Sequence, residues 1–536
     1  MISRRDVLKQ GLAAGLWASF AAPLRAAATS DLWLNRLTFG ATPDSRASLA
    51  EMGAEAWLDG QLASPPDDAD LTARLVAQRL RISYPAGNDG AGHWKARDQL
   101  RPLAALTAAP DSVLPLLDWT KAMDFSERIR PAEEVIAASL TRAVHAQAQL
   151  REVMTQFWHD HFNVQSQKDE FTAVFFPAHD AELRTHALGR FRDLLGAVAR
   201  SPSMLCYLNN ADSRASPANE NYARELLELH TLGAGNYLND RFPHWHQVPV
   251  TEGVAVGYID EDVYEVARAL TGWTVGDGRW IAEGVDAPKT GVFHYAEAWH
   301  DPYQKRILAV EFPPNRAAMA DGEEVLDLLA RHPGTARFIC TKIARRLLAD
   351  QPDPGLIDRL AQVFLTRQDA PDQIAQVIRA LTRDPAFAAP PTKLRRPFEF
   401  LAALYRATGA EITGTENGWT WQLLRAGWHQ HTFPPPTGHS DLTEDWQSTT
   451  TLLRLVDYAL YAHDEGFGAT ASRLVAPGKT QDDLARHWAE RLTGSPQTDV
   501  LALVGADPSE PLGADRHNQS VVAVAFAALT PAFLFR

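Results

Sequence analysis

Apolar positions along this chain recur mostly at three- and four-residue spacing, the pattern of helices with one buried face. From Pro131, the residues Val135, Leu140, Val144, Leu150, Val153, Met154 and Phe157 follow that spacing. They predict one helix with Pro131 as its first residue, running to about His161. Pro177 opens a second helix, with Leu183, Phe191, Leu194 and Val198 as apolar positions. A third spans 219–232 and stops at Gly233, and a fourth spans 262–271 and stops at Gly272. Segments 322–331 and 335–349 form a pair broken at His332-Pro333-Gly334. Further helices are expected near 354–367, 371–382, 395–407, 446–462, 480–492 and 519–529. Strand-like runs are confined to 273–275, 292–295 and 306–310, enough for one small sheet. The segment 411–443, rich in Gly, Pro, Thr and Trp, reads as a long loop. The expected fold is mainly α: a large multi-helix single domain over 29–536 with a small β insertion at about 272–312.

Residues 1–28 read differently. Ser3-Arg4-Arg5-Asp6-Val7-Leu8-Lys9 precedes a mild apolar run from Gly11 to Ala22, then Arg25 and three alanines. This is the layout of a twin-arginine export leader. A general secretory signal is the alternative, against which stand the Gly/Ala-rich run and Arg25 before the cut. The run is too short to span a bilayer, and no later stretch reads as a span. The expected location is periplasmic or secreted, by a route that carries folded proteins.

The composition excludes several classes. Hydrophobic residues are 45% and charged residues 22%, as in a globular protein and not a disordered one. The net charge of −14 becomes −17 once the leader, with Arg4, Arg5, Lys9 and Arg25 against Asp6, is removed. So acidic a chain is a poor nucleic-acid partner. Two cysteines, Cys206 and Cys340, are too few for a disulfide scaffold, a four-cysteine iron–sulfur cluster or a C-x-x-C-H haem attachment. Cys340, in an apolar run, reads as a buried thiol. There is no phosphate loop, dinucleotide fingerprint, nucleophile elbow or H-E-x-x-H, which disfavours a serine hydrolase.

The candidate chemistry lies in four places. On a helix over 219–232, Asn221, Glu225 and Glu228 share one stripe opposite Tyr222, Leu226 and Leu229. Two carboxylates one turn apart can share a divalent metal, or one can be raised as a general acid; a plain solvated face has the same pattern. His161 falls over Leu150, Met154 and Phe157 on the core face, as a hydrogen-bonded core residue or as a ligand, while His159 and Asp160 point elsewhere. His179 and His186 share a face of the next helix. His294 and His300-Asp301-Pro302 flank a short strand and a turn, where Asp301 either caps its own turn or joins a site. Only 9 of the 52 basic residues are lysine, so Lys305, after His300-Asp301, and Lys342, in the helix after His332, suggest a need for a compact ammonium, with a plain surface lysine as the alternative at each.

Several stretches together resemble an exported bacterial family catalogued as domain of unknown function 1800. They are Leu34-Asn35-Arg36-Leu37-Thr38-Phe39-Gly40, Phe157-Trp158-His159-Asp160-His161-Phe162, 219–233, Ala269-Leu270-Thr271-Gly272-Trp273, His300-Asp301 with Lys305, 332–338, and Thr530-Pro531-Ala532-Phe533. Asp160 stands where such proteins commonly have asparagine, and the region from Trp428 to Trp446 follows their pattern poorly. The resemblance implies export, and a neighbouring exported partner similar to sulfatases and phosphatases; it implies no reaction.

The expectation is an exported enzyme acting on a cell-envelope or extracellular substrate. Glu225, Glu228, His161 and Asp301 are its candidate catalytic residues. His161, Glu225, Glu228 and His300 are its candidate ligands for a divalent metal, whose identity among Zn, Mn, Fe and Cu the residues leave open. The rival is a non-catalytic assembly or glycan-binding protein with an exposed platform of Trp419, Trp421, Trp428 and Trp446, residues for which simple core packing is the alternative. The two differ in convergence: an enzyme needs the site residues in one cleft.

Overall fold

The computed structural model describes residues 29–470, 472–496 and 507–536, so the expected leader lies outside the described residues. Among the described residues helix dominates, and strands occur only as two-stranded sheets. One large apolar core draws residues from Leu34 to Phe535, with smaller clusters around Leu71, Leu75 and Leu80 and around Ile281 and Trp299. Among the described residues, no helix is long and apolar enough to cross a membrane.

The expected helix from Pro131 to His161 is two helices, Phe125–His145 and Gln149–His161. The first begins earlier because Asp124 caps it, accepting from the Ser126 amide at 2.9 Å. No glycine or proline marks the break after His145. Gln149 bridges it, donating from Nε2 to the carbonyls of Ala143 (3.1 Å) and Ala146 (2.8 Å) that the ended helix leaves open. Pro177 likewise lies inside its helix, Glu170–His186, which starts at an Asp169–Thr172 capping box. Both prolines therefore sit one or two turns within a helix whose start an aspartate sets.

The β elements are smaller and more divided than expected. Strand 273–277 pairs with 289–295. The apolar run at 306–310 is a hairpin, Lys305–Ile307 against Val310–Phe312, because Leu308 and Ala309 take positive φ and turn the chain. A further antiparallel pair, Arg79–Tyr84 with Arg97–Pro102, was not expected, although Arg79-Leu80-Arg81-Ile82-Ser83-Tyr84 alternates polar and apolar residues and buries Leu80, Ile82 and Tyr84. The expected loop at 411–443 contains the short helix Gly418–Leu424 and is packed inward.

Both ends of the described chain meet one segment. Asn35 accepts from Arg395 at 2.7 Å, and Arg36 donates to the carbonyl of Ala389 at 2.9 Å. Arg395 also donates from Nε to the Phe533 carbonyl at 2.8 Å. The backbones of 393–395 and 534–536 bond to each other, the Arg395 amide giving to the Leu534 carbonyl at 2.8 Å.

Candidate functional site

His159, Asp160 and His161 end the Gln149–His161 helix, and all three are buried. A rotation of about 100° per residue sends them into three polar networks.

His161 faces the helix that carries Glu225 and Glu228. Its Nε2 is 3.1 Å from the carbonyl of His230. A carbonyl only accepts, so Nε2 carries the proton and Nδ1 presents a lone pair. Lys342, from the Pro333–Leu347 helix, donates to that lone pair at 2.9 Å. Burial, with the Lys342 charge beside it, pushes His161 well below the usual imidazole range and keeps it neutral. Burial also lowers Lys342, to about 8, although the charges of Asp441 and Asp160 favour its ammonium form. Phe338, one turn earlier, stacks its ring beneath the ammonium, 5.5 Å from the nitrogen.

The carbonyl that fixes the His161 tautomer sits in an irregular turn. The expected helix over 219–232 is α-helical only from Glu220 to Glu225; Leu226–Thr231 is a π-turn. Thr231 Oγ1 donates back five residues to the Leu226 carbonyl at 2.6 Å, filling the wider turn. Such turns recur at functional sites because they re-aim side chains and carbonyls. The altered pitch also draws the His230 ring fully inside, 5.0 Å from Phe162. Neither ring nitrogen of His230 has a protein partner. Burial lowers it to about 3, so it too is neutral.

Glu225 and Glu228 are both half-buried. Burial and the charge of Glu228 raise Glu225 above the usual carboxyl range, with Arg224 opposing. Burial, with Glu225 adding to it, pushes Tyr207 up to about 12. Tyr207 donates to the Pro434 carbonyl at 2.5 Å, and Asn163 Nδ2 reaches the carbonyls of Phe433 (2.9 Å) and Pro435 (2.8 Å). One loop segment thus ties Asn163, two residues beyond His161, to the tyrosine that feels Glu225.

The other two networks back this arm. Asp160 accepts from Arg396 at 3.0 Å, and Arg396 also meets Glu399 (3.1 Å) and Asp441 (3.3 Å). Burial nonetheless raises Asp160 to about 6. His159 Nε2 meets Asp180 at 2.9 Å, and Arg184 joins Asp180 (2.9 Å) to Glu152 (2.6 Å). Asp180 and Arg184 also line a cavity of about 390 Å³ with Leu75 and Leu103. The rings of His431 and His179 lie 4.2 and 6.0 Å from His159.

A model of the family described as a protein of unknown function, DUF1800, matches residues 32–535. The chain belongs to this family. No curated protein and no solved structure matches it. Of the motifs that carried the resemblance, the stretches around His161 and Glu225 thus meet at one place in this family member.

His300 and Asp301 are elsewhere. His300 Nδ1 lies 3.0 Å from the Thr271 carbonyl and its Nε2 lies 3.3 Å from Asp321. Burial would raise Asp301, but Arg268 at 2.8 Å and the Tyr303 amide at 2.9 Å hold it below the usual carboxylate range. Lys305, fully buried, donates to the Asp301 carbonyl (2.6 Å), the Tyr303 carbonyl (2.9 Å) and Asp321 (2.7 Å). This is a clamp on a turn, and it shares none of the side chains named for the His161 arm. The expected metal set His161, Glu225, Glu228 and His300 is not assembled. Among the described residues no three His, Cys, Asp or Glu side chains converge for a metal ion, and both ring nitrogens of His161 are already bonded.

Other expectations resolve simply. His186 is partly exposed beside Glu182, while His179 is buried with Nδ1 3.0 Å from Ser201. Cys206 and Cys340 are both free. Trp419, Trp428 and Trp446 are buried and only Trp421 is exposed, so the expected platform is a core contact. Arg396, Asp441, Asp180 and His431 escaped the sequence reading, since each is singled out only by partners distant along the chain.

Proposed function

We propose that this chain is an exported acid–base enzyme acting on a cell-envelope substrate, with Lys342 and His161 as its proton-transfer pair and Glu225 as the assisting carboxyl group. The observation that carries the reading is the partner of Lys342. Lys305 and Lys393 are buried with carboxylates at 2.7 and 2.6 Å. Lys342 instead gives its hydrogen bond to a neutral imidazole. An amine held near 8 can either give or take a proton close to neutral pH, as catalysis requires and a structural clamp does not. The His230 carbonyl fixes which His161 nitrogen faces the amine, and Glu225, raised above its usual range, lies five residues before that carbonyl on the same helical segment and is the carboxyl group we assign to hold a proton.

Export is part of the proposal and rests on the Arg4-Arg5 leader; a neighbouring exported phosphatase-like partner rests on the family resemblance alone. The assembly-protein reading loses its main support with the burial of three of its four tryptophans.

The test is the reactivity of Lys342 toward an amine-selective reagent across pH 6–11, read by peptide mass spectrometry. Half-maximal labelling near pH 8 is expected, and an ordinary lysine profile near 10.5 would end the proposal. In parallel, solubilised envelope fractions are incubated with the wild-type chain, Lys342→Met and Glu225→Gln. Conversion by wild type that falls at least a hundredfold in both folded variants is the expected result; equal conversion by all three would exclude these residues.

A further inference from the structure

A second cleft borders the Glu220–Glu225 helix, lined from it by Glu220 and Arg224. It has a volume of about 820 Å³ and opens between that helix, the first turns of the Asp260–Ala269 helix and the Lys305–Ile307 strand. This is the size of a small-molecule site and not of a packing defect.

Its walls combine two features that rarely serve stability. The first is exposed aromatic surface: Trp245 and Tyr264 line the cleft at 42% and 50% exposure. Trp245 is nonetheless held. The Arg306 guanidinium stacks 3.5 Å from its ring centre, and its amide donates to Glu261 at 3.0 Å. A flat ring held rigid in solvent loses little freedom on binding. The second is a dense mix of acceptors and donors, with Glu220, Glu261 and Glu265 facing Arg224, Arg306 and Gln304.

The charges narrow the ligand. Carboxylates outnumber cations along the walls, which disfavours an anion. Yet these carboxylates are largely offset: Asp260 pairs with Arg224 at 3.2 Å, and Glu265 with Arg268 at 2.7 Å. A cation would gain little there, whereas the paired groups keep lone pairs and N–H bonds for hydroxyls. A purely apolar ligand would strand them. Flat exposed rings for C–H faces, beside planar polar side chains for hydroxyls, suit an uncharged oligosaccharide.

We propose that this cleft is a binding site for an uncharged oligosaccharide, with Trp245 and Tyr264 as its stacking surfaces. The proposal stands apart from the acid–base reading, since no residue of the Lys342–His161 pair lines the cleft.

The test titrates the purified chain with cellotetraose, maltotetraose and tetra-N-acetylchitotetraose by calorimetry, with tetragalacturonate and spermine as anionic and cationic comparisons. At least one uncharged tetrasaccharide should bind. Trp245→Ala and Tyr264→Ala should each weaken it tenfold or more, while Trp421→Ala and Lys342→Met leave it unchanged. Tyr264 is half-exposed, so its substitution tests the site even if Trp245→Ala fails to fold. Binding of none of the three, binding indifferent to Tyr264→Ala, or tighter binding of either charged probe would overturn the proposal. Loss of binding in Lys342→Met with the cleft variants silent would place the ligand elsewhere.

Discussion

A lysine beside a neutral imidazole leaves a signature in stability as well as reactivity. Below pH 8 the amine is protonated in both folded and unfolded chains, and the cost of its burial is present in full. Between about 8 and the ordinary 10.5 the folded chain releases the proton while the unfolded chain keeps it, so stability rises with pH across that window. The rise is at most about 3 kcal/mol. Lys342→Met should abolish it, and chemical unfolding of both proteins at pH 7 and pH 10 measures the difference. A variant that retains the full rise would mean that another group titrates there. At this scale the sequence was partly legible. His161 stood on the core face of a helix and Lys342 stood out in an arginine-rich chain. Asp301 and Lys305 carried the same kind of signal, yet they clamp a turn. Spacing alone cannot separate a poised amine from one bound to Asp321, because the partner lies 16 residues away from Lys305.

Elements add what single residues lack. The π-turn at Leu226–Thr231 is invisible to a 3.6-residue reading, since Leu226, Leu227, Glu228 and Leu229 are good helix formers and only the pitch changes. It nevertheless supplies the carbonyl that orients His161. The inward packing of the 411–443 segment was equally hidden, because Gly, Pro and Trp mark a loop without saying what it lies on. Gly438 shows the contact: at φ 66° it sits against the backbone of Asp160, and a methyl group there would overlap the Asp160 carbonyl oxygen. Gly438→Ala should therefore cost at least about 2 kcal/mol, beyond the strain of left-handed backbone alone. The loop should move with it, so the Asn163 and Tyr207 bonds to Phe433, Pro434 and Pro435 should loosen. Thermal unfolding and amide exchange at 433–438 check both effects. A neutral substitution would show that the loop does not rest on the end of the Gln149–His161 helix.

For the molecule as a whole, the buried imidazoles set its response to acid. His161, His179, His230, His431 and His439 are all lowered chiefly by burial; His179, His230 and His439 fall to about 3. Between the ordinary 6.5 and that range the unfolded chain takes up protons that the folded chain refuses, so stability falls as pH falls. Asp160 and Asp262, both raised to about 6 by burial, and Glu134, raised to about 7, act in the opposite sense. Burial also raises Glu133 and Glu225, and also lowers His145, His332, His429, His463 and His487, so ten lowered imidazoles stand against five raised carboxyl groups. At about 1.4 kcal/mol per net proton and pH unit, stability should therefore drop by several kcal/mol from pH 6 to pH 4. Thermal denaturation across that range tests the sign. An unchanged or rising midpoint would mean that these rings are hydrated or already charged. The mainly helical architecture behind this burial was readable from apolar spacing; its histidine-lined interior was not, because those rings come from segments far apart along the chain.

The tie between Asn35, Arg395 and Phe533 also bears on the order of events during synthesis. Arg395 has one partner 360 residues toward the N-terminus and another 138 residues toward the C-terminus. A ribosome that has delivered the first partner and Arg395 itself has not yet delivered the carbonyl of Phe533. Until it does, a guanidinium destined for the interior has nothing there to satisfy its Nε, and the segment around it has every reason to stay open. The nascent chain is therefore expected to stay short of closure around Arg395 until Phe533 has emerged. Chaperones would meet it as an unfinished body whose last contacts arrive together, and the proposed export route, which carries folded proteins, would receive it only after those contacts had formed.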